Sequence, residues 1–335
     1  MSDSVARWRA ADVASTFGLG EPVGEARFIA RGAMGVLWRL NSASGSWAVK
    51  ELFDPPEAEG LAPESRFVDA ARDMGVASPP LVRAGDRLVV DMPTVDGAAS
   101  PIRVYGWIDN VGSPKPPLPV ERCREAGMLL GRLHRTGITV DREPDDWYMS
   151  RNVGGPWLER IDALEHRRPE LVAMLRPVID DLVSLDDLAA QAPRPPWMMC
   201  HRDFDPTNTL IDTNDRLVLV DWENAGSLTA EAELAYSLLG WCVDRHSEVV
   251  PAAVHSFLAG YADEGVVPAP RGLGSFSVAL AARLNFLALM LARVVNDDVS
   301  REEQDRAERN AQEVIEGLPR AAMLRDTLDM WEQLL

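Results

Sequence analysis

One short segment constrains this chain more than any other part of its sequence. Residues 201–208 read His-Arg-Asp-Phe-Asp-Pro-Thr-Asn, and the triplet Asp221-Trp222-Glu223 begins thirteen residues after the asparagine. The carboxylate of Asp203 can accept a proton, and the side-chain oxygens of Asn208 and Asp221 are ligands that a hard cation such as Mg²⁺ prefers. A proton acceptor and a cation site at fixed spacing are what phosphoryl transfer requires, because its catalysis rests on positioning and charge neutralisation.

The sequence around this segment predicts a hairpin that brings its polar residues together. Apolar runs flank the loop on both sides, Asn214-Asp215 is typical of a turn, and residues 217–220 form a further apolar run that ends on Asp221. We therefore expect Asn208 and Asp221 to lie near one another. The alternative interpretation is a turn-forming loop with an acid at a strand end, which explains single residues better than the complete spaced set.

With this motif the chain resembles the aminoglycoside phosphotransferase family, a small-molecule branch of the protein-kinase-like fold, over about residues 28–265. Members typically carry His-Gly-Asp in the loop and a strand that ends in Asp-Trp-Glu or Asp-Trp-Asp. Arg202 replaces the glycine, as in protein kinases. Trp222-Glu223 in place of Phe-Gly favours the small-molecule branch, and no Ala-Pro-Glu follows Asp221.

The resemblance implies an α+β, two-lobed protein-kinase-like fold. A small N-terminal lobe at residues 1–110 would hold an antiparallel sheet and bind the nucleotide, and a larger, mainly helical lobe at residues 111–335 would hold the catalytic and acceptor-binding residues. Asp203 would be the catalytic proton acceptor, and Asn208 and Asp221 would ligate Mg²⁺. The reaction would transfer the γ-phosphoryl group of ATP to a hydroxyl of a small molecule, and the sequence does not distinguish ATP from GTP.

A second set of candidate residues lies in the strand-rich N-terminal part. Three strand candidates fall between residues 27 and 52, and Gly32 and Gly35 lie in the turn between the first two. In the family this turn covers the triphosphate, and a lysine on the third strand, here Lys50, contacts the α and β phosphates. Taken alone, such a turn is common and Lys50 could be a solvated edge-strand residue; their order upstream of the catalytic loop favours nucleotide binding.

A helix predicted at residues 63–74 supplies the expected partner of the lysine. The resemblance implies that a glutamate on this helix orients Lys50 through an ion pair. Glu64 lies at the distance from the helix-ending glycine that is usual in the family, and Glu57 and Glu59 are alternatives.

The segment before the Pro-, Gly- and Ser-rich boundary at residues 109–119 corresponds to the hinge of the family. Tyr105, Trp107 and Ile108 would therefore contact the adenine, through backbone N–H and C=O groups and, for Trp107, by stacking. A tryptophan in an apolar strand is otherwise a core residue.

The charge of the chain bears on its partners. Its 34 basic and 52 acidic residues give a formal net charge of −18, which repels phosphate backbones and argues against nucleic acid as a partner. A cationic acceptor would be attracted, although the charge could serve solubility alone. Asp205 and Glu223 are the candidate acceptor-binding acids. Glu223 could instead serve the metal, and Asp205 could cap its own loop.

Aminoglycoside-like or other cationic antibiotics are therefore the expected acceptors, which would make the chain an antibiotic-resistance enzyme. One alternative is a metabolic kinase that acts on a sugar, an amino alcohol or a choline-like compound. A second is a pseudokinase that binds nucleotide and serves as an interaction module; retention of the lysine and of the acidic motif residues argues against it.

Cysteine usage and hydropathy predict a cytoplasmic protein without a membrane partner. The three cysteines are widely spaced and match neither a disulfide framework nor a zinc motif. The N-terminus lacks a basic flank and an apolar signal core. The most apolar stretch, residues 276–295, carries Arg283 and Arg293, which are costly at mid-membrane, so we expect a buried helix there.

Overall fold

The computed structural model describes residues 5–32, 34–54, 58–149, 156–191 and 193–334. The chain divides into two units. The first comprises Met1–Arg72, Ala77–Gly112 and Leu210–Glu223, and the second comprises Asp73–Val76, Ser113–Thr209 and Asn224–Leu335. The assignment of residues 1–110 to nucleotide binding and of residues 111–335 to catalysis stays a prediction. The predicted division at residue 110 did not group Leu210–Glu223 with the N-terminal residues.

The first unit is built on an antiparallel sheet. Its strands are β1 (Arg27–Arg31), β2 (Gly35–Ser42), β3 (Gly45–Leu52), β4 (Leu81–Val82), β5 (Val89–Pro93) and β6 (Ala99–Gly106). The order is β1-β2-β3-β6-β4, and β5 also pairs with β6. Alternation explains which face is buried: on β2, Val36, Trp38 and Leu40 point into the core while the residues between them are partly exposed.

The first unit also contains two helices, α1 (Ala10–Thr16) and α2 (Ala58–Asp73). α2 replaces the predicted helix at residues 63–74, and its Pro63 lies inside the helix rather than at its start. The core joins residues of α1, such as Val13, to the inward faces of the central strands.

The hairpin predicted after the loop at residues 201–208 is present. β9 (Thr209–Asp212) and β10 (Leu217–Leu219) form a sheet with β7 (Asn110–Gly112), in the order β10-β9-β7. The carboxylate of Asp212 closes the turn, because its Oδ1 accepts hydrogen bonds from the backbone N–H groups of Asn214 at 2.8 Å and Arg216 at 2.9 Å.

The second unit is mainly helical. Its helices are α3 (Val120–Arg135), α4 (Asp146–Met149), α5 (Trp157–Leu164), α6 (Pro169–Leu175), α7 (Ile179–Ala189), α8 (Ala230–Trp241), α9 (Pro251–Glu264), α10 (Ser277–Val295), α11 (Arg301–Glu316) and α12 (Ala321–Glu332). The short strands β8 (Met198–Cys200) and β11 (Gly226–Leu228) pair antiparallel. Glycines let α3 and α9 approach closely: a Cβ on Gly127 would lie 1.9 Å from the carbonyl oxygen of Phe257.

One helical segment, Gly272–Val295, is long and apolar enough to cross a membrane by length and composition. Of its most apolar window, 67% is buried inside the protein, as is usual for the core helix of a soluble protein. Two of its polar residues have partners within the unit. The side chain of Asn285 donates to the carbonyl of Trp147 at 2.9 Å, and Arg283 donates to the carbonyl of Gly317 at 2.6 Å.

Candidate active site

The loop at residues 201–208 follows β8 and is closed by its own polar side chains. Residues Pro206–Asn208 form a single 3-10 turn, and the Asp205 carboxylate caps this turn by accepting from the N–H of Thr207 at 3.0 Å. The Nδ2 group of Asn208 donates to the carbonyl of Asp203 at 3.0 Å. Because the amide uses its nitrogen for the loop, its other end, Oδ1, is the atom that could ligate a cation.

Arg202 adopts φ 65°, a left-handed conformation that side chains other than glycine disfavour. This explains why a glycine suits the position in the family. Here the side chain of Arg202 is held on several sides. Its Nε donates to the carbonyl of Asn224 at 2.5 Å, an NH1–Oδ2 ion pair with Asp145 spans 2.6 Å, and the guanidinium lies 4.5 Å from the ring centre of Tyr148. Gly226 leaves the space, since a Cβ there would lie 2.7 Å from the guanidinium carbon.

Behind the loop, a buried network fixes its backbone. The carboxylate of Glu233, on α8, is fully buried and accepts from the N–H of Arg202 at 2.5 Å. Its other oxygen lies 2.8 Å from Nε2 of His134, whose Nδ1 lies 2.6 Å from the hydroxyl of Tyr261. Burial alone would raise the pKa of Glu233, but the hydrogen bond and the charge of His134 hold it below its usual value. His134 therefore has a structural role in this network.

The ligand atoms of His134, Cys200 and Glu233 all lie within 4.8 Å of one another, a spacing that a metal ion could use. We interpret the cluster as a hydrogen-bond network instead. Both oxygens of Glu233 already have partners, and burial raises the pKa of the Cys200 thiol well above its usual value, which disfavours the thiolate that binds metals.

The predicted proton acceptor is held at both of its oxygens. The hydroxyl of Tyr236 donates to Oδ1 of Asp203 at 2.7 Å, and Nδ2 of Asn224 donates to Oδ2 at 3.2 Å. Burial raises the pKa of Tyr236 well above its usual value, so this hydroxyl stays a donor. Sequence reasoning missed both partners. Tyr236 lies three residues after Glu233 on α8, and the shared helix face was the signal that could have identified it.

Asp205, one of the two predicted acceptor-binding acids, has a structural task in this unit. It caps the 3-10 turn and packs against α8 so closely that a Cβ on Gly240 would lie 2.3 Å from its Oδ2. Burial raises the pKa of Asp205. The structure therefore provides the capping role that the sequence left open, and contact with an acceptor stays a prediction.

The first unit contains a second cluster, centred on Lys50. Its Nζ lies 2.6 Å from Oδ1 of Asp221 and 2.6 Å from Oε2 of Glu223. Burial would lower the pKa of Lys50, but the two carboxylates raise it above its usual value. Asp221 adopts φ 63°, and 40% of its side chain is exposed against 11% for Glu223.

The two acids of this cluster differ in proton affinity. Burial and the neighbouring charge of Glu223 raise the pKa of Asp221 to about 7. Burial would also raise the pKa of Glu223, but Lys50 and Arg103 hold it well below its usual range. The carboxylates of Asp221, Glu223 and Glu64 outnumber the nearby cations, Lys50 and Arg103, by one. The oxygen donors of this cluster therefore fit a hard divalent cation such as Mg²⁺.

The predicted ion pair of Lys50 with Glu64 is not formed. Glu64 instead accepts from both terminal nitrogens of Arg103, with an NH1–Oε2 distance of 3.1 Å. The correction has a physical reason: Arg103 is fully buried, and its planar guanidinium matches a carboxylate in a two-bond geometry that an ammonium group lacks. Of the two alternatives, Glu59 is exposed, and Glu57 lies outside the described residues.

The predicted hinge residues have partners inside the first unit. The hydroxyl of Tyr105 donates to Oε1 of Glu223 at 3.0 Å, which places this side chain in the Lys50 cluster. The N–H of Trp107 donates to the carbonyl of Ser46 at 3.0 Å, and the guanidinium of Arg39 lies 4.6 Å from the Trp107 ring. The carbonyl of Ile108 accepts from the side chain of Asn110 at 2.9 Å. Adenine contacts at Tyr105, Trp107 and Ile108 stay a prediction.

The glycine turn has a local structural reason at one of its two glycines. A Cβ on Gly35 would lie 2.3 Å from the carbonyl oxygen of Glu51 on the neighbouring strand, so the sheet itself requires a glycine there. Gly32 has more room, with its nearest atom at 3.9 Å, and its N–H donates to the carbonyl of Gly35 at 2.9 Å. Phosphate binding by this turn stays a prediction.

Comparison with known proteins identifies the fold. The model of a family described as the phosphotransferase enzyme family, APH, matches residues 25–265. A comparison with curated proteins gives no match. A solved spectinomycin phosphotransferase, APH(9)-Ia, in complex with ADP and spectinomycin, is 15% identical with a TM-score of 0.60, and 93% of this chain and 94% of that chain are covered.

Two further solved structures are similar. The microcompartment-associated aminopropanol kinase is 18% identical with a TM-score of 0.58, covering 92% of this chain and 98% of that chain. Amicoumacin kinase hAmiN in complex with AMP-PNP, Ca²⁺ and Ami is 16% identical with a TM-score of 0.56, covering 92% of each chain. These likenesses confirm the predicted α+β, protein-kinase-like fold, with an antiparallel sheet in the N-terminal part and a mainly helical C-terminal part.

Proposed function

We propose, from the premise that this chain belongs to the phosphotransferase enzyme family, that it transfers the γ-phosphoryl group of ATP to a hydroxyl of a cationic small molecule in the cytoplasm. The observation that carries this proposal is the fixed carboxylate of Asp203. Both of its oxygens are oriented by neutral donors, from Tyr236 and Asn224, and no cation is among these two partners. A carboxylate held in this way remains a proton acceptor.

Asp203 accepts the proton of the acceptor hydroxyl as that hydroxyl attacks the phosphoryl group. A general base of this kind accelerates the reaction by a factor of about 10²–10⁴. Its orientation rests on the loop, whose backbone is fixed at Arg202 by Glu233 and whose turn is closed by Asp205 and Asn208. Proper placement of reacting groups is the larger part of catalysis in phosphoryl transfer.

Lys50 would bind the phosphates of the nucleotide, and Asp221 and Asn208, the two residues that the sequence predicts as ligands, would hold Mg²⁺ through their side-chain oxygens. Glu223 is a further oxygen donor in the Lys50 cluster. When bound, Mg²⁺ neutralises charge on the phosphates. The role of the protein residues is to bind and orient: Lys50 is kept protonated by its two carboxylates, and 40% of the Asp221 side chain is exposed and accessible to a cation.

A cationic antibiotic of aminoglycoside type is the first candidate acceptor, and an amino alcohol is the second. Both carry amines near a hydroxyl, and the formal net charge of −18 attracts such compounds. Family relatives in the solved structures include a spectinomycin phosphotransferase and an aminopropanol kinase, which correspond to these two candidates.

The experiment that tests this function combines MgATP with a panel of acceptors and detects the phosphorylated product by mass spectrometry. The panel contains cationic antibiotics, amino alcohols, and neutral sugars of similar size. We expect product from a cationic acceptor with the wild-type chain, and a kcat lower by about 10²–10⁴ for Asp203→Asn with nucleotide binding retained. Binding of MgATP without turnover of any acceptor would favour the pseudokinase alternative.

A further inference from the structure

Lys50 has an unusual neighbour across the sheet. The register of β3 against β6 places Lys50 directly opposite Arg103, so the two side chains leave the same face of the sheet. Two cations directly opposite each other repel, and the arrangement is stable only if carboxylates are bound between and around them.

Arg103 is completely buried, and its charge is compensated from three directions. Glu64 on α2 binds both of its terminal nitrogens. Oε1 of Glu223 lies 4.0 Å from NH1, and the ring centre of Tyr105 lies 5.3 Å from the guanidinium carbon. The side chain of a buried arginine with these partners is held in one conformation, so Arg103 places a fixed positive charge beside Lys50.

Glu223 connects the two cations. Its Oε2 binds Nζ of Lys50 at 2.6 Å, while its Oε1 accepts from the hydroxyl of Tyr105 at 3.0 Å and faces Arg103. Asp221 also binds Lys50, but Asp221 is a proposed metal ligand. If Asp221 ligates a cation, Glu223 is the carboxylate that would still bind the ammonium group of Lys50.

We propose that Arg103 is a positioning residue that couples α2 to the phosphate-binding lysine. Glu64 holds Arg103, Arg103 holds Glu223, and Glu223 holds Lys50. Glu64 thus acts on Lys50 through two intermediate residues, in place of the direct ion pair that the sequence predicts. This inference rests on the proposed function of Lys50 as a phosphate ligand.

Among the described residues, this cluster contains three carboxylates, of Glu64, Asp221 and Glu223, and two cations, of Lys50 and Arg103. Removing Arg103 leaves three acids around one lysine. Without Arg103, Glu223 is attracted by Lys50 alone and is no longer fixed from its other side. The pair of Glu223 and Lys50 then shifts, and the ammonium group leaves the position suited to phosphate. The expected defect is weaker use of MgATP, with the acceptor bound as before.

The competing explanation is that the pair of Glu64 and Arg103 only stabilises the first unit. A second arginine–glutamate pair of this unit provides the control. NH2 of Arg7 lies 3.0 Å from Oε1 of Glu51, a buried carboxylate next to Lys50 on β3, and successive residues of a strand point to opposite faces. A change at Arg7 disturbs an ion pair of the same unit without touching the proposed series of contacts.

The test compares Arg103→Met, Arg103→Lys and Glu64→Gln with Arg7→Met. Steady-state kinetics give KM for MgATP and for the acceptor separately, and calorimetry in an Asp203→Asn background gives the Kd of MgATP without turnover. We expect KM and Kd for MgATP to rise on the order of tenfold in Arg103→Met, and less in Arg103→Lys, which keeps the charge. The acceptor KM should stay constant, and Arg7→Met should match wild type in both constants.

A double variant sharpens the test and separates it from the proposed function. Arg103→Lys combined with Glu223→Gln should weaken MgATP binding by less than the product of the single effects, because both act through Lys50. If Arg103→Lys and Glu64→Gln fold and bind MgATP as Arg7→Met does, the inference is overturned while the proposed function stands. If the wild-type chain neither binds MgATP nor turns over, the proposed function fails and the inference fails with it.

Discussion

Replacing Glu233 by glutamine tests whether the buried network behind the loop positions the carboxylate of Asp203, the proposed proton acceptor. The substitution keeps the shape of the side chain and removes its charge. One oxygen can still accept from the N–H of Arg202, but an NH₂ group then faces Nε2 of His134 across 2.8 Å. Either this contact is lost or the imidazole changes its tautomer and disturbs its contact with Tyr261.

Glu233→Gln should lower both the free energy of unfolding and kcat. Glu233 is fully buried, and breaking a buried charged pair by changing one partner costs about 3–5 kcal/mol. A retained contact to Arg202 and a tautomer change at His134 reduce this, so we expect about 2–3 kcal/mol, which corresponds to a Tm lower by about 4–12 °C. Arg202 is held at φ 65°, and loosening its N–H lets this backbone relax and moves Asp203. We expect kcat to fall at least about tenfold.

The stability that Glu233 contributes should depend on pH. The pKa of Glu233 is held below its usual value, so its contribution to stability is present above the unfolded pKa of about 4.3 and is lost as pH falls through the lower folded value. The difference in Tm between wild type and Glu233→Gln should therefore be largest at neutral pH and shrink in acid.

Glu231→Gln is the matched control for this experiment. Glu231 lies on the same helix, is also buried, and forms a 2.8 Å ion pair with Arg271. Thermal unfolding and kcat are measured for both variants. Equal losses of kcat in the two variants, or an unchanged kcat in Glu233→Gln, would refute the positioning role of Glu233.

Three more outcomes are expected, two from the site residues and one from the net charge of the chain. Asp221→Ala should abolish Mg²⁺-dependent turnover and Asn208→Ala should raise the Mg²⁺ concentration needed, because a carboxylate neutralises the cation more than an amide; Mg²⁺ titrations identical to wild type would contradict the assignment. Tyr236→Phe should lower kcat about tenfold with the Kd of MgATP unchanged, since one hydrogen bond to the Asp203 carboxylate is lost; a changed Kd with constant kcat would contradict this. For a cationic acceptor, kcat/KM should fall with ionic strength more steeply than for a neutral analogue, and a salt-independent value would remove the electrostatic argument for a cationic acceptor.

Local patterns in the sequence were sufficient for most elements of the fold. The hairpin predicted after residue 208 is formed by β9 and β10, and the apolar stretch predicted as a buried helix at residues 276–295 corresponds to α10. The short helix α1 was missed; it has seven residues, too few for helical spacing of its buried positions to stand out in the sequence. α12 was also missed, although its buried residues recur at helical spacing, so this pattern was available in the sequence.

The partners of the site residues could not be predicted in the same way, because they depend on strand register and helix orientation. Arg103 lies 53 positions after Lys50 in the sequence and becomes its neighbour only through the pairing of β3 with β6. A family pattern of lysine and helix glutamate therefore predicted the direct pair with Glu64. The contact of Tyr236 with Asp203 likewise requires the face of α8 to be known.

The most direct test of the proposed function follows a labelled γ-phosphoryl group in a single turnover. In separate reactions, the wild-type chain or the Asp203→Asn chain is present in excess over γ-labelled MgATP, and the acceptor is added at a saturating concentration. Label is then measured in the acceptor, in free phosphate and in ATP. Our proposal predicts label in the acceptor hydroxyl with wild type and transfer slower by about 10²–10⁴ with Asp203→Asn. Label that appears only in free phosphate, or equal transfer by both chains, would contradict it.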